Sequence, residues 1–265
     1  MIKLICSDVD GTMVPDGSRD INLELFEVIC RLREKGVQFA IASGRPASSI
    51  SSLFKPVEDK VFFIALGGAI IATSSRTLYH WDVDQEDMRR MVQKMRTVPG
   101  CEIMLNGVNR SYLESKDEYF RSWIMDSYGT KCQITEDLLS VDDQVVSLSF
   151  YHSGHQVDTA FRDFIEEWQD RYSVVTAGTM WLDVHRQDVN KGRAIEELQD
   201  SLEVTPEETM VFGDQRNDIE MMGRAFYSYA VENALPEVKK AARFGTDRCD
   251  QDGVLKVLKE LLQKL

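Results

Sequence analysis

The sequence has no apolar run that approaches the roughly 20 residues needed to cross a membrane. Its apolar start, Ile2 to Cys6, is followed at once by Ser7 and Asp8, and is too short for the apolar part of a secretion signal. We therefore expect a protein that does not associate with membranes and that works in the cytoplasm.

The chain also lacks paired cysteines. Its five cysteines, Cys6, Cys30, Cys101, Cys132 and Cys249, are odd in number and widely spaced, and no Cys-x-x-Cys pair occurs. This pattern fits neither a disulfide framework nor a zinc site. Reduced thiols in a cytoplasm are the expectation.

A positive charge balance is absent as well. The 265 residues include 31 Lys and Arg against 44 Asp and Glu, which gives a formal charge of −13 at pH 7. Such a chain repels nucleic acids and anionic membranes, so neither is expected as a partner. The content of 43% hydrophobic and 28% charged residues is typical of folded domains and excludes a disordered or collagen-like chain. The length fits one large domain or two smaller ones.

Strand and helix patterns alternate at both ends of the chain. Strands are predicted at residues 2–6, 37–42, 61–65, 209–212 and 226–231. Between the first two, Leu25, Val28, Ile29 and Leu32 recur at helical spacing, with Asn22 as the predicted N-cap. This alternation predicts an α/β core, a Rossmann-like parallel sheet covered by helices.

The middle of the chain follows a different pattern. Three stretches are predicted as helices: Asp84–Arg96, Lys116–Ser127 and Gln156–Asp170. Alternating segments separate them, and Asn106-Gly107 favours a hairpin turn. We predict an α+β domain at residues 82–186, inserted into a core domain of residues 1–81 and 187–265.

Two carboxylates follow the first predicted strand, in the sequence Asp8-Val9-Asp10-Gly11-Thr12. Carboxylates two residues apart on a turning segment can converge on one centre. One can act as a nucleophile or metal ligand, and the other as an acid/base. An acidic turn that caps a helix is the structural alternative.

A second pair of carboxylates, Asp214 and Asp218, follows the predicted strand at 209–212. Parallel strands present their carboxyl ends at one edge of the sheet, where such sheets bind ligands. Together with Asp8 and Asp10, these side chains would complete an oxygen site for Mg²⁺. An acidic loop without a ligand is the alternative.

Three further residues fit the binding of a phosphate. A hydroxyl and a glycine amide at a helix start, Ser43 and Gly44, can hold phosphate oxygens, and Lys191 can neutralise them. Taken alone, Lys191 also fits an ordinary exposed helix start.

With these residues the sequence resembles the haloacid dehalogenase superfamily of phosphohydrolases, and within it the Cof-type branch with a cap domain inserted between the second and third motifs. The matching segments are Asp8-Val9-Asp10-Gly11-Thr12, Ser43-Gly44-Arg45, Asn190-Lys191-Gly192, Gly213-Asp214 and Asn217-Asp218-Ile219-Glu220-Met221. The resemblance covers nearly the whole chain, although the cap carries no motif. It implies a core of that family's fold and a cap of α+β type.

The resemblance also implies roles for these residues. Asp8 would be the nucleophile that forms an aspartyl-phosphate, and Asp10 the acid/base. Asp8, the Asp10 carbonyl and Asp214 would hold Mg²⁺, with Asp218 binding close by or through water. The residues implied for phosphoryl binding are Ser43, Gly44, Lys191 and Asn217.

The sequence departs from the family pattern in two places. Ser43 stands where many relatives have Thr, a change that keeps the hydroxyl. Gly67-Gly68-Ala69 stands where many relatives have Asn-Gly-Ala, so no substrate contact by an Asn side chain is expected at this position.

We therefore expect a Mg²⁺-dependent phosphatase, acting as a monomer or weak dimer on a small phosphate ester such as a sugar phosphate. A phosphomutase and a non-catalytic binding protein are the alternatives, and a dehalogenase would leave Asp10 and Asp214 without a role. His185 and Arg186, where the chain returns from the inserted domain, either reach a substrate or lie on the surface of a linker.

Overall fold

The computed structural model describes residues 1–127, 129–177 and 179–265. It divides into two compact units, of which the first, here the core unit, combines Met1–Leu78 with Asn190–Leu265. The second, here the inserted unit, is Tyr79–Val189.

The strands, in chain order, are β1 (Leu4–Ser7), β2 (Gln38–Ala42), β3 (Val61–Ala65), β4 (Ile70–Ala72), β5 (Thr77–His80), β6 (Cys101–Gly107), β7 (Ser111–Leu113), β8 (Cys132–Ile134), β9 (Val145–His152), β10 (Tyr172–Ala177), β11 (Trp181–Arg186), β12 (Thr209–Gly213), β13 (Tyr227–Val231) and β14 (Phe244–Thr246). The α-helices are α1 (Glu24–Glu34), α2 (Ala47–Leu53), α3 (Gln85–Met95), α4 (Glu118–Ser122), α5 (Val157–Ala160), α6 (Arg162–Trp168), α7 (Lys191–Leu202), α8 (Ile219–Met222), α9 (Pro236–Ala241) and α10 (Gly253–Lys264).

The core unit is built on a sheet of order β14–β13–β12–β1–β2–β3–β4–β5. The strands from β14 to β3 pair in parallel, and β4 is antiparallel to β3. Every residue of β1 is buried, as expected for a central strand with helices on both faces. The predicted α/β fold class is therefore confirmed, with β1 at the centre and β2 and β12 on either side of it.

Helix α1 buries the predicted apolar stripe of Leu25, Val28, Ile29 and Leu32. The predicted N-cap is wrong by one residue, since the helix begins at Glu24 and Leu23 holds the cap position. The Asn22 carboxamide oxygen accepts a hydrogen bond from the Glu24 amide at 3.1 Å. The Asn22 side chain therefore satisfies one of the helix-start amides from one position further out.

The inserted unit contains a sheet of order β10–β11–β9–β6–β7–β8, antiparallel except between β7 and β8. Helices α3, α5 and α6 contribute to an apolar core with one face of this sheet. The largest fully buried side chains of that core are Phe150, Phe161, Phe164 and Trp168.

Three local predictions for the inserted unit are right in kind but differ from the structure in their bounds. The helix predicted over Gln156–Asp170 is interrupted at Phe161, which separates α5 from α6. The helix predicted over Lys116–Ser127 begins only at Glu118, because Asp117 caps it, and continues as a π-helical turn over Trp123–Ser127. Asn106 and Gly107 are the last residues of β6, so the predicted hairpin is present but turns after this pair, between β6 and β7. The Asn106 carboxamide is buried in hydrogen bonds to neighbouring strands, which keeps it in the sheet.

In the parts of the chain that the structure describes, no helix combines the length and the apolar character needed to span a membrane.

We predict that Phe150→Ala strongly destabilises the inserted unit. Phe150 is fully buried on β9, and its ring centroid lies 5.0 Å from that of Phe164 and 6.4 Å from that of Phe161. Removing such a ring typically lowers the free energy of unfolding by about 3–5 kcal/mol. Urea unfolding will measure this loss, with Tyr119→Ala as the control, because Tyr119 is 80% exposed and its loss should cost about 0.5 kcal/mol or less. A loss below about 1 kcal/mol for Phe150→Ala would contradict the packing described.

Candidate active site

The predicted site residues of the core unit come from neighbouring strand ends. Asp8 directly follows β1, Ser43 follows β2, and Asp214 follows β12. Ser7 is in register with Ile41 of β2 and with Phe212 of β12, so these three strands end at one edge of the sheet.

The ammonium group of Lys191 joins the first and last of the sequence motifs. Its Nζ donates to Oδ1 of Asp8 at 2.6 Å and to Oδ1 of Asp218 at 2.7 Å. Lys191 is 1% exposed. Burial alone lowers the pKa of Lys191, but the charges of Asp218 and Asp8 more than offset this and hold it above its ordinary value. Lys191 is therefore a buried cation rather than an exposed helix start.

Local structure explains why Lys191 reaches this position. It is the first residue of α7, and Asn190 caps the helix by accepting a hydrogen bond from the Arg193 amide at 2.8 Å. Gly68, at a φ of +108°, packs so closely that a Cβ on it would lie 2.4 Å from the Asn190 carbonyl oxygen. A larger residue at Gly68 would push the start of α7 away.

Three carboxylates form a buried group around Lys191. Asp8, Asp214 and Asp218 each offer an oxygen within 4.8 Å of the others. Burial is the main cause that raises the pKa of Asp8 well above its ordinary value, and the charges of Asp218 and Asp214 raise it further, while Lys191 lowers it. Burial also raises the pKa of Asp214. A divalent cation with a preference for oxygen ligands would relieve this excess of negative charge, so the donor set fits such a cation.

The Asp214 side chain is held from two directions. Its Oδ1 accepts a hydrogen bond from the Thr12 hydroxyl at 2.8 Å, and its Oδ2 accepts one from the Gln215 carboxamide at 3.0 Å. Gly11, at a φ of +81°, lies against this carboxylate, and a Cβ there would be 2.3 Å from its Oδ2. Gly11 thus leaves space for the Asp214 carboxylate, and Thr12 supplies it with a hydrogen-bond donor.

Asp218 turns back onto the strand end that precedes it. Its Oδ2 accepts hydrogen bonds from the amides of Asp214 at 2.9 Å and Gln215 at 3.0 Å. Gly213 makes this possible, since a Cβ at that position would lie 2.6 Å from the Cβ of Asp218. Both oxygens of Asp218 therefore already accept hydrogen bonds: Oδ2 accepts from the loop backbone, and Oδ1 accepts from Lys191.

The Asp10 carboxylate lies outside the group of three and pairs with Arg45. Arg45 Nε donates to Oδ2 of Asp10 at 2.8 Å, and Nη2 of the same guanidinium donates to Oδ1. The amide of Gly17 also donates to Oδ1, at 3.3 Å. Sequence reasoning gave Arg45 no role of its own, although its place directly after Ser43-Gly44 was the available signal.

The remaining predicted phosphate ligands differ in exposure. Ser43 is buried, and its hydroxyl oxygen accepts a hydrogen bond from the Arg45 amide at 3.1 Å, which leaves the hydroxyl proton to donate elsewhere. Gly44 is exposed beside it, with open space around its Cα. Asn217 is exposed in the turn between Arg216 and Asp218.

The chemistry available to this arrangement is that of group transfer to a carboxylate. Asp8 is a potential nucleophile in a buried setting, and Lys191 supplies a fixed positive charge against it. Asp10 is more accessible than Asp8 and suits proton transfer. A strongly anionic substrate would need the positive charge that Lys191 and a bound cation provide.

Known proteins are similar to this chain along nearly its whole length. A family model described as haloacid dehalogenase-like hydrolase matches residues 5–258. A crystal structure of a protein from Eubacterium rectale is 33% identical to this chain, with a TM-score of 0.90 over 98% of this chain and 99% of that one.

Two relatives with assigned names are also similar along their whole length. One, of Escherichia coli, is 26% identical over 99% of this chain and 97% of its own length, and is named 5-amino-6-(5-phospho-D-ribitylamino)uracil phosphatase YbjI. The other, YitU of Bacillus subtilis, has the same enzyme name and is 23% identical over 97% of this chain and 96% of its own length.

We predict that Thr12→Val weakens the binding of a divalent cation. The change removes the hydroxyl that donates to Asp214 while nearly keeping its shape, and loss of such an outer hydrogen bond typically weakens metal binding about 10- to 100-fold. Calorimetric titration with Mg²⁺ will measure the affinity. Thr209→Val is the matched control, because Thr209 is also fully buried but donates to the Thr205 carbonyl. Equal affinities for the wild type and Thr12→Val would contradict the role given to Thr12.

Proposed function

The chain belongs to the haloacid dehalogenase-like hydrolase family and is a phosphatase, and we propose that it hydrolyses small phosphate monoesters with Mg²⁺ by way of an aspartyl-phosphate at Asp8. The observation that carries this proposal is the buried pairing of Lys191 with Asp8 and Asp218 beside Asp214. We further propose that the ester is a sugar or sugar-alcohol phosphate. The two named relatives support this, since the substrate in their enzyme name carries a phosphorylated ribityl chain.

The first step of the proposed reaction transfers the phosphoryl group to Asp8. One Asp8 oxygen accepts the hydrogen bond from Lys191, and the other attacks phosphorus as the bond to the ester oxygen breaks. Water then attacks the acyl-phosphate and releases inorganic phosphate, which restores the carboxylate. Lys191 favours the charged, nucleophilic form of Asp8 but does not secure it alone, because its charge only partly offsets the rise in pKa that burial causes.

Asp10 serves as the acid and then the base. It donates a proton to the departing ester oxygen and takes one from the attacking water in the second step. Arg45 donates to both Asp10 oxygens and so fixes the orientation of this side chain. Arg45 is therefore a positioning residue for Asp10 in this proposal.

The phosphoryl oxygens would be bound by the Ser43 hydroxyl, the Gly44 amide, Lys191 and Asn217. Mg²⁺ would be held by Asp8, Asp214 and the Asp10 carbonyl, with Asp218 close by or bound through water. When bound, this ion supplies positive charge to the phosphoryl oxygens and to the buried carboxylates. The donor hydroxyl of Ser43 and the fixed charge of Lys191 support this set.

The other readings of the sequence are less well supported. A dehalogenase would use one carboxylate and leave the group around Asp214 and Asp218 without purpose. A non-catalytic protein would not need a buried lysine between two buried carboxylates, which is costly to maintain. A phosphomutase would use the same residues and differ in retaining its intermediate.

We also propose that the protein works in the cytoplasm as a monomer or weak dimer, with neither nucleic acid nor membrane as a partner. The free state of all five cysteines and the net charge of −13 support this setting.

The nucleophile is tested by Asp8→Asn, which keeps the shape and removes the attacking oxyanion. We expect kcat to fall by at least about 1,000-fold, the scale seen when a covalent nucleophile is lost. The matched control is Asp16→Asn, an exposed acid in the turn after the same strand, which should keep full turnover. Assays with a panel of sugar phosphates will measure this, and a variant that keeps more than about a tenth of wild-type kcat would refute the proposal.

The acid/base role is tested by Asp10→Asn with two kinds of ester. A sugar alkoxide is a poor leaving group and needs the proton, so its transfer to Asp8 should slow by about 100- to 10,000-fold. An activated aryl phosphate needs the proton little and should slow far less. Single-turnover measurement of the first step separates the two cases, and equal slowing of both esters would count against Asp10 as the acid.

A further inference from the structure

Strand β11 of the inserted unit separates apolar from polar side chains. Leu182 and Val184 are fully buried in the apolar core. The alternate residues Trp181, Asp183 and His185 therefore lie on the opposite face of the sheet. That second face carries chemistry that the phosphatase mechanism does not use.

A connected row of hydrogen bonds crosses this face from β7 to β11. The Ser111 hydroxyl donates to the Asn106 carboxamide oxygen at 2.7 Å, and the Asn106 amide group donates to the hydroxyls of Ser147 at 3.4 Å and Ser149 at 3.3 Å. Ser149 in turn donates to Oδ1 of Asp183 at 2.6 Å. The polar face, as we call it, consists of Asn106, Ser111, Ser147, Ser149, Asp183 and His185. Its serines and Asn106 are all buried.

Asp183 ends this row with acceptor capacity to spare. Among the described residues, the Ser149 hydroxyl donates a hydrogen bond to the Asp183 carboxylate. A carboxylate can accept several hydrogen bonds. Burial raises the pKa of Asp183 to about 6. The Asn106 and Ser149 hydrogen bonds fix the carboxylate in place, so it is prepared to accept hydrogen bonds from a ligand.

His185 follows two residues later on the same face. Its Nδ1 is buried, and the described part of the chain provides it with no hydrogen-bond partner. Burial lowers the pKa of His185 to about 4, so the ring is neutral at pH 7 and offers one donor and one acceptor. A buried polar atom without a partner is costly, which points to a ligand that would complete it.

Aromatic rings border the polar face at the other end of β11. The ring of Trp181 lies 5.2 Å from that of Tyr151 and 6.1 Å from that of Trp123, measured between centroids. Ligand sites commonly combine apolar aromatic walls with a few fixed polar groups. An aromatic wall suits the carbon skeleton of a ligand whose hydroxyl groups bind Asp183 and His185.

We propose that the polar face binds a polyhydroxylated ligand, with Asp183 accepting hydrogen bonds from its hydroxyl groups and His185 completing its own hydrogen bonds with the same ligand. Hydroxyls match this set because each can donate to the carboxylate and either donate to or accept from a neutral imidazole. A free polyol and the alcohol part of the phosphate ester share this chemistry. In the second case the inference rests on the proposed function.

The test compares two esters that differ in their hydroxyl groups. Ribitol 5-phosphate and n-pentyl phosphate have the same carbon number, and both release a primary alcohol. In Asp183→Asn and in His185→Gln, we expect kcat/KM for ribitol 5-phosphate to fall about tenfold or more, the scale of a lost hydrogen bond to a charged or buried group. The value for n-pentyl phosphate should stay within about twofold, because that ester has no hydroxyls to lose.

Two controls keep the test independent of folding. His152→Gln is the matched variant, because His152 lies on β9 of the same sheet with its ring against Phe161, on the apolar face. Thermal unfolding of every variant identifies any loss of structure, and His185→Gln carries the test if Asp183→Asn does not fold. Calorimetric binding of free ribitol adds a readout that does not depend on turnover.

The outcomes separate the two sources of the ligand. A selective loss for ribitol 5-phosphate supports the inference, with the substrate as the ligand. Weaker binding of free ribitol in both variants, with both esters unaffected, supports it with a free polyol as the ligand. Equal losses on both esters, or no change in turnover together with no ribitol binding, overturn it. If the wild type hydrolyses neither ester, ribitol binding alone decides the inference, while the panel of sugar phosphates decides the proposed function.

Discussion

The active-site edge of the core depends on burying one lysine among three carboxylates. Lys191 contacts Asp8 and Asp218 directly, and all of these side chains are buried. Removing charges from water costs several kcal/mol for each ion, and only close and complete pairing offsets that cost. Asp218 achieves it by accepting two backbone amides as well as Lys191, and Asp214 by accepting from Thr12 and Gln215. Any displacement of one member would leave a buried charge without its partner.

Such close pairing requires the backbone to approach at points where no side chain fits. A Cβ on Gly11 would overlap the Asp214 carboxylate, one on Gly213 would overlap Asp218, and one on Gly192 would lie 2.7 Å from the Glu220 carbonyl oxygen. Gly11 also has a positive φ, which glycine adopts at little cost. The glycines of the motifs therefore contribute to the electrostatics of the site, because they allow the charged side chains to lie at short distances from one another.

The sequence predicted the parts of this structure that depend on pattern. The strands at β1, β2, β3 and β12 were readable because they are continuously apolar and end in polar turns, and strand ends in a parallel sheet share one edge. Features that depend on tertiary contacts could not be predicted from the sequence. Nothing local distinguishes Asn106-Gly107 from a turn, yet the Asn106 carboxamide is buried in a network with three serines. The pairing of Arg45 with Asp10 likewise joins positions 35 residues apart. The alternation along β11 indicated a strand but not that Asp183 on its polar side would accept a hydrogen bond from the buried Ser149 of β9.

Charge balance links the structure of the core to the chemistry proposed for it. Three buried carboxylates against one lysine leave an excess of negative charge, and burial together with this excess raises the pKa of Asp8 and Asp214. A nucleophilic carboxylate must be ionised, and the phosphate ester that it attacks is itself an anion. The excess of negative charge therefore opposes both the ionisation of the nucleophile and the binding of the ester. Lys191 cannot meet them alone, since its one charge is already shared between Asp8 and Asp218. A further divalent cation beside Asp8 and Asp214 would lower the pKa of the nucleophile and attract the ester at the same time. A neutral substrate would gain nothing from the positive charge of this cation. This difference is the physical reason to expect phosphate esters rather than other electrophiles at this site.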